Sequence, residues 1–308
     1  MALDRAPIDP STSDTAVTRV GAYLGRGWRD CVDPAWLAGW DPQPFALPGG
    51  VTEVVAMGSG PAVVLLPPMP GFKEAWIGVA GILARSFRVV TFDMRSRFAA
   101  TPDWRTWLDD LERILDAHAP GAAGIVGHSM GGALAQQWAI ARPARVHALL
   151  LSSSFARLTH PAGNMYARFI EQPLVIAGQR LLPRRPALAV ARLLARHGRW
   201  VYDPDCDDRL LDFIRFCMRD TSPATIAPAL KLVAQLDTRV HLPSLRIPTL
   251  VVVGERESVF QLPSAEELVR LIPGAELRMV PRVSHLHPLS APQWLAQTIT
   301  EWMGPRLA

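Results

Sequence analysis

Ser129 is the residue of this chain whose surroundings most favour covalent chemistry. It lies in Gly127-His128-Ser129-Met130-Gly131, where an apolar run that predicts a strand meets Ala- and Leu-rich sequence that predicts a helix. A serine at the tip of such a turn exposes its hydroxyl, and the flanking glycines lack the Cβ that would collide there. N–H groups at the start of the helix point toward negative charge that develops at the turn. The motif therefore predicts a nucleophilic serine.

Strands and helices alternate on both sides of this turn, which indicates a mostly parallel sheet flanked by helices. Val51–Met57 and Ala62–Leu66 flank a Gly-Ser-Gly-Pro turn and predict a hairpin. The further strands predicted are Phe87–Phe92, Ala122–Val126, Ala148–Ser152, Thr249–Gly254 and Glu276–Val280, and the helices are Trp76–Ala84, Trp104–Ala117, Gly132–Ala141 and Trp294–Trp302.

Three regions follow from where this alternation starts, stops and resumes. Residues 1–50 are predicted to form an N-terminal helical extension, with a helix over Ala16–Trp28. Residues 51–154 and 244–308 carry the alternating core. Residues 155–243 show helical patterns with proline breaks, which indicates an all-helical insertion.

Composition excludes several classes of protein. The net charge is +4, and the basic residues are almost all scattered arginines without interleaved aromatic residues, so no nucleic-acid partner is expected. Three widely spaced cysteines signal neither a disulfide framework nor a zinc site. The N-terminal stretch is polar and no segment reaches the length of a membrane span, which predicts a cytoplasmic protein; the sequence does not specify an oligomeric state.

The ordered motifs together resemble the α/β-hydrolase superfamily, in its serine-nucleophile branch with a helical cap. The resemblance rests on the Ser129 motif, on the run Ile247–Gly254 and on the region of His285, and covers roughly Val51–Met303. It implies an α/β-hydrolase fold with the cap over residues 155–243. It also implies a serine, an acid and a histidine in that chain order, with no cofactor and no metal.

The resemblance places the catalytic base on the loop after the last strand. His285 fits this position, because the family's usual proline seven residues after its histidine falls on Pro292. His287 is the competitor, and if His285 is the base, removal of His287 should have a mild effect. A metal site at the pair is disfavoured because no nearby carboxylate or cysteine completes the ligand set. His128 is assigned to packing rather than to catalysis.

The same resemblance implies an acid three residues after the glycine that ends the penultimate strand. Counted from Gly254, that position is Glu257, and glutamate is an accepted acid in this fold. Because a glutamate side chain is longer than that of an aspartate, Glu255 remains a rival.

The oxyanion hole of the resembling enzymes is built from two backbone N–H groups. One comes from the residue directly after the nucleophile, here Met130. The other follows a His-Gly pair that this chain replaces with Pro67-Pro68, so the donor falls on Met69, which keeps its N–H.

These residues predict a serine hydrolase that cleaves a carboxylic ester, lactone or thioester through an acyl-enzyme. The apolar composition of residues 155–243 indicates a small-molecule substrate with an apolar acyl or alkyl group, with Met165, Phe169 and Phe213 as candidate pocket walls. Alternatives on the same triad are a carbon–carbon bond hydrolase, an acyltransferase or a haloperoxidase. A ligand-binding protein that keeps the fold without turnover is the alternative from another class.

Overall fold

One sheet of eight strands organises the chain, in the order β1-β2-β4-β3-β5-β6-β7-β8. The computed structural model describes residues 18–158, 177–178, 181–196, 203, 205–257 and 261–307. β1, β2 and β4 pair antiparallel, whereas the pairs from β4 through β3 to β8 are parallel. The strands are β1 Gln43–Leu47, β2 Gly50–Met57, β3 Ala62–Leu66, β4 Arg88–Phe92, β5 Ala123–His128, β6 Val146–Ser152, β7 Thr249–Gly254 and β8 Glu276–Val280.

Helices cover both faces of this sheet. They are α1 Ile77–Leu83, α2 Trp104–His118, α3 Met130–Ala141, α4 Arg184–Arg196, α5 Asp208–Asp220, α6 Pro223–Ala234, α7 Gln261–Leu271, α8 His287–Ser290 and α9 Pro292–Leu307. Short 3₁₀ turns span Arg26–Cys31, Pro34–Leu37, Lys73–Trp76, Pro143–Arg145 and Leu242–Ser244. None of the helices in the described ranges has the length and apolarity to cross a bilayer.

The central strands are buried on both sides. Every residue of β5 and of β7 is buried, which explains their continuous apolar sequence. Successive residues of β5 alternate between two cores: Ile125 packs with α2, α3 and α7, and Val126 packs with α1 and α9. The predicted α/β fold with a mostly parallel sheet is confirmed, and its carboxyl edge lies where β5, β6, β7 and β8 end.

The predicted helix over Ala16–Trp28 is wrong for residues 18–25, which are extended; its last three residues belong to the 3₁₀ turn Arg26–Cys31. Val20 and Ala22 donate their N–H groups to the carbonyls of Val51 and Met94, both at 2.9 Å. Val20, Ala22 and Leu24 are buried, and Tyr23 between them is exposed. The burial therefore has the period of two of a strand rather than that of a helix. This extended segment, residues 18–25, is called the N-terminal strap below.

The predicted hairpin between Val51–Met57 and Ala62–Leu66 is also wrong. β4 lies between these two strands, pairing antiparallel with β2 and parallel with β3. The hairpin partner of β2 is β1, which lies within the predicted helical extension. The Gly-Ser-Gly-Pro turn packs instead on the end of α1. The contact is so close that a Cβ at Gly58 would collide with the carbonyls of Ala84 and Phe87.

Residues 155–243 contain α4, α5 and α6 in their described part, together with one bridge between Arg157 and Asp237. The division of the chain into extension, core and cap stays a prediction.

A buried lysine lies beneath the N-terminal strap. Lys73 Nζ contacts Glu53 at 2.8 Å and Glu74 and Asp93 at 2.9 Å, and its side chain is 1% exposed. Burial alone would lower the pKa of Lys73, but these carboxylates outweigh it and raise the pKa, so the ammonium group stays charged. Arg19 of the strap pairs with Glu53 on its outer side at 2.8 Å.

Replacement of Lys73 by methionine is expected to lower the free energy of unfolding by about 3–5 kcal/mol, because it leaves buried carboxylates without their counter-charge. The control is Lys231→Met. Lys231 is the only other lysine in the sequence, and its side chain is exposed. Urea denaturation measures both variants. Equal losses in the two would show that the buried cluster does not depend on Lys73.

Candidate active site

The turn between β5 and α3 holds Ser129 in a backbone conformation that is rare for a residue with a side chain. Its φ is 53° and its ψ is −116°. Its N–H donates to the Ser152 carbonyl at 2.8 Å, and its own carbonyl accepts from Gly132 at 3.0 Å. A conformation of this kind persists only where the surroundings impose it, and such residues concentrate at functional sites.

The glycines of the motif are required by close backbone contacts around the turn. A Cβ at Gly127 would collide with the backbone of Gly131, and a Cβ at Gly131 would collide with the carbonyl oxygens of Leu66 and Pro67. The loop that follows β3 therefore packs directly against the start of α3. This contact brings the segment of Met69 to the turn that carries Ser129.

Glu257 and His285 are in direct contact. His285 Nδ1 lies 3.1 Å from Glu257 Oε1, and Ser153 Oγ donates to Glu257 Oε2 at 2.5 Å. The Glu257 side chain is 2% exposed and that of His285 is 11% exposed. Burial would raise the pKa of Glu257, but the charge of His285 and the hydrogen bonds from His285 and Ser153 lower it below its usual value. Glu257 is thus held as a carboxylate in contact with the imidazole of His285.

Glu255, the rival acid, has a different partner. Its Oε2 accepts the Arg282 N–H at 2.7 Å, and the residue is exposed. Of the two glutamates, Glu257 is the one in contact with His285.

His287, the rival base, is fully buried inside the protein. Its Nε2 lies 2.6 Å from Ser152 Oγ, and its Nδ1 lies 3.3 Å from the Ser284 carbonyl oxygen. Burial lowers the pKa of His287 to about 4, with Glu257 opposing and His285 adding to the shift. His287 is therefore neutral at pH 7 and has both ring nitrogens engaged.

His128 lies between the two other histidines. Its ring centroid is 4.9 Å from that of His285 and 5.1 Å from that of His287. Because His128 directly precedes Ser129, the imidazole of His285 lies beside the turn that carries Ser129. The structure contains no hydrogen bond between the side chains of Ser129 and His285, both of which are described. Catalytic hydrogen bonds often form only once substrate is bound.

The loop of Met69 is tied at its far end. Gly71 donates to the Pro68 carbonyl at 2.7 Å, and its own carbonyl accepts from Met94, whose carbonyl in turn accepts from Ala22 of the N-terminal strap. Met130 is the first residue of α3, where an N–H has no partner within the helix. The Met69 and Met130 amides are not hydrogen-bonded to any other described residue.

Two residues of the site are not predicted by the sequence. Ser153, with φ 42°, holds the second oxygen of Glu257, and a run of three serines at the end of β6 was the available signal. Asp203 is buried and its Oδ1 accepts the Ser284 N–H at 2.6 Å, directly before His285. No pattern in the sequence indicates that contact, because it joins residues that are far apart in the chain.

The candidate pocket walls are only partly described. Phe213 is buried and packs edge-on against Trp28, with ring centroids 6.2 Å apart. Met165 and Phe169 lie outside the described residues. Within the described ranges, no three His, Cys, Asp or Glu side chains are grouped closely enough to hold a metal ion.

The fold and the placement of these residues define an α/β hydrolase. Residues 63–298 match the alpha/beta hydrolase family, and the chain belongs to that family. The described N-terminal strap precedes the matched region.

Individual relatives are similar at low identity. Polyketide synthase ThaQ of Burkholderia thailandensis is 31% identical over 251 residues, which cover 78% of this chain and only 12% of that protein. Pimeloyl-[acyl-carrier protein] methyl ester esterase of Chromobacterium violaceum is 27% identical over 254 residues, or 80% of this chain and 96% of the relative. The solved enol-lactonase of Burkholderia xenovorans LB400 superposes with a TM-score of 0.67 at 21% identity, over 85% of this chain and all of that one (100%), which shows the shared fold.

The burial of His287 predicts a pH-dependent stability. The folded state keeps this histidine neutral down to a pKa of about 4, whereas the unfolded chain takes up the proton near the ordinary histidine pKa of 6.5. Protons therefore bind the unfolded state more strongly between these values, and stability falls as the pH is lowered through this window. The loss due to this one group is about 3 kcal/mol.

The measurement is the free energy of unfolding in urea at pH 7, 6, 5 and 4, roughly spanning that window. His287→Gln removes the titrating group and should show a shallower fall than the unmodified protein, although Glu257, His285 and His128 still face the position. His147→Gln, at an exposed histidine, should follow the unmodified protein. Identical slopes in all three proteins would contradict the neutral, buried state of His287.

Proposed function

We propose that this protein is a serine hydrolase that cleaves a carboxylic ester, lactone or thioester with an apolar acyl or alkyl group through an acyl-enzyme. The single observation that carries the proposal is the 3.1 Å contact of Glu257 with His285 beside the strained turn of Ser129. A carboxylate on Nδ1 leaves Nε2 of the imidazole as the basic atom, which is the arrangement that a serine nucleophile requires.

In the proposed reaction, Ser129 Oγ attacks the carbonyl carbon while His285 Nε2 takes the hydroxyl proton. Glu257 accepts a hydrogen bond from the Nδ1–H group of His285 and stabilises the imidazolium that forms. The tetrahedral intermediate collapses, and His285 returns the proton to the leaving alcohol or thiol. Water then attacks the acyl-enzyme with His285 again as the base, which releases the acid and restores Ser129.

The oxyanion of the tetrahedral intermediate is assigned to the amides of Met69 and Met130. Support comes from the packing of Gly131 on the carbonyls of Leu66 and Pro67, which sets the Met69 loop beside α3. Met130 opens that helix, so its N–H points out of the helix end with the favourable dipole behind it. Removal of one such donor typically costs about 10²–10³ in kcat.

The substrate class is argued from the chain and from its relatives. Relatives named as pimeloyl-[acyl-carrier protein] methyl ester esterases support an acyl ester rather than an amide. Residues 155–243, whose described part contains α4, α5 and α6, follow β6 and would lie over the carboxyl edge of the sheet, where open α/β sheets bind ligands. Their apolar composition supports an apolar acyl or alkyl group.

A fluorophosphonate probe is expected to label Ser129, and Ser129→Ala should abolish the labelling, because only an activated serine reacts with this electrophile. Mass spectrometry of the labelled peptide identifies the residue. The control is Ser244→Ala, an exposed serine whose hydroxyl donates to the His241 carbonyl at 2.7 Å and which should keep the label. Labelling that survives in Ser129→Ala would remove this serine as the nucleophile.

Glu257→Gln is expected to lower kcat for a chromogenic ester by about a thousandfold or more, because an amide no longer fixes the imidazole tautomer or stabilises its charge. Glu255→Gln should change kcat by less than about threefold, since that side chain holds a backbone N–H at an exposed turn. The reverse ranking would transfer the acid role to Glu255.

The acyl preference is expected to appear as a kcat/KM that rises with chain length of p-nitrophenyl esters and then falls. Each methylene buried in an apolar pocket contributes about 0.8 kcal/mol until the pocket is full. Steady-state kinetics over acetyl to dodecanoyl esters measures the profile. A flat profile, or equal turnover of charged and apolar acyl groups, would exclude an apolar pocket.

A further inference from the structure

A chain of buried side chains runs behind the residues proposed for catalysis. His287 Nε2 lies 2.6 Å from Ser152 Oγ, and Ser152 Oγ lies 2.9 Å from His128 Nδ1. The two histidines and the serine are all 0% exposed. We call the side chains of His287, Ser152 and His128 the buried relay.

The backbone sets the direction of these hydrogen bonds. The Ser284 carbonyl can only accept, so the proton of His287 sits on Nδ1, and its Nε2 must accept from the Ser152 hydroxyl. Ser152 Oγ then has only acceptor capacity left, and His128 Nδ1–H donates to it. His128 Nε2 is left without a hydrogen-bond partner among the described residues.

The relay joins the two backbone segments that must be held at a fixed distance for the proposed reaction. One end is His128, directly before Ser129, and the other is the carbonyl of Ser284, directly before His285. The N–H of Ser284 is bonded to buried Asp203 at 2.6 Å. The peptide groups on both sides of Ser284 are therefore fixed by buried side chains, one by Asp203 and the other by His287.

Packing alone would not select these side chains. Buried polar groups lower stability unless they are hydrogen-bonded, and apolar residues of similar size would fill the space without leaving His128 Nε2 unpaired. The relay is also built from three separate elements, the ends of β5 and β6 and the start of α8. Such a connection fixes how those elements sit relative to one another.

We propose that His287, Ser152 and His128 are positioning residues that hold the imidazole of His285 in register with Ser129. This inference rests on the proposed function. The relay touches no substrate and transfers no proton in the reaction; it acts through the backbone on either side. The earlier expectation that loss of His287 is mild is replaced by the expectation of a clear loss in kcat.

Ser152→Ala tests the proposal by removing the central hydroxyl. We expect kcat for a p-nitrophenyl ester to fall about tenfold or more with KM changed less than about twofold, since misplacement of the base affects the chemical step. The fluorophosphonate labelling rate should fall by a similar factor. The matched control is Thr249→Val, which removes a buried hydroxyl bonded to the Ile247 carbonyl. Thr249 is the first residue of β7, whereas the relay lies where β5 and β6 end, so both rates should stay unchanged.

His128→Phe provides a second route if Ser152→Ala does not fold. It removes Nδ1 and also the unpaired Nε2, so the melting temperature should stay the same or rise while kcat falls. A purely structural role would change stability and kcat together. The double variant should lose no more activity than the more affected single variant, because both changes break one chain of bonds.

The outcomes separate this inference from the proposed function. If Ser129→Ala is inactive and unlabelled while Ser152→Ala and His128→Phe keep the kcat of the unmodified protein, the relay proposal fails and the proposed function stands. Additive losses in the double variant, or a loss in Thr249→Val equal to that in Ser152→Ala, also overturn the relay proposal. Activity that persists in Ser129→Ala overturns the proposed function itself.

Discussion

The backbone of Ser129 is the constraint on which the rest of the site depends. A residue with a side chain enters the left-handed region, φ 53°, only where contacts on all sides exclude the alternatives. Here those contacts are the Ser152 carbonyl, the start of α3 and the carbonyls of the β3 loop packed on Gly131. Because these contacts come from neighbouring parallel strands, the register of β3, β5 and β6 is set together with the position of the serine hydroxyl.

Burial at this edge of the sheet controls charge as well as shape. Desolvation keeps His128 and His287 neutral by lowering their pKa values, while the His285 contact keeps Glu257 ionised. A neutral imidazole can both donate and accept, so the two buried histidines can join successive hydrogen bonds in one direction. The same dry surroundings strengthen the attraction between Glu257 and a protonated His285, because charge interactions are weakened less there than in water.

The parts of the site that the sequence predicts are those that local rules determine. The turn of Ser129 follows from glycine spacing between a strand and a helix, and the strands Thr249–Gly254 and Glu276–Val280 have the predicted bounds. The sequence does not predict the strap or the position of β4, because both depend on partners distant in the chain: Val20 pairs with Val51, and β4 lies beside β2. Ser153 and Asp203 were missed for the same reason, since their partners, Glu257 and the Ser284 amide, become neighbours only in the folded chain.

The N-terminal strap shows how a segment ahead of the family match takes part in the architecture around the site. The Ala22 N–H donates to the Met94 carbonyl, and the Met94 N–H donates to the Gly71 carbonyl, both at 2.9 Å. The strap is therefore joined to the Met69 loop through two successive hydrogen bonds. At its other end, the Gly25 N–H donates to Asp220 of α5 at 2.8 Å, and Trp28 just beyond it packs on Phe213. One extended segment therefore contacts both the loop proposed to bind the oxyanion and a helix of the predicted cap. Because the Gly25 N–H bonds Asp220, a shift of α5 relative to the sheet would stretch this bond or displace the strap that also bonds Met94.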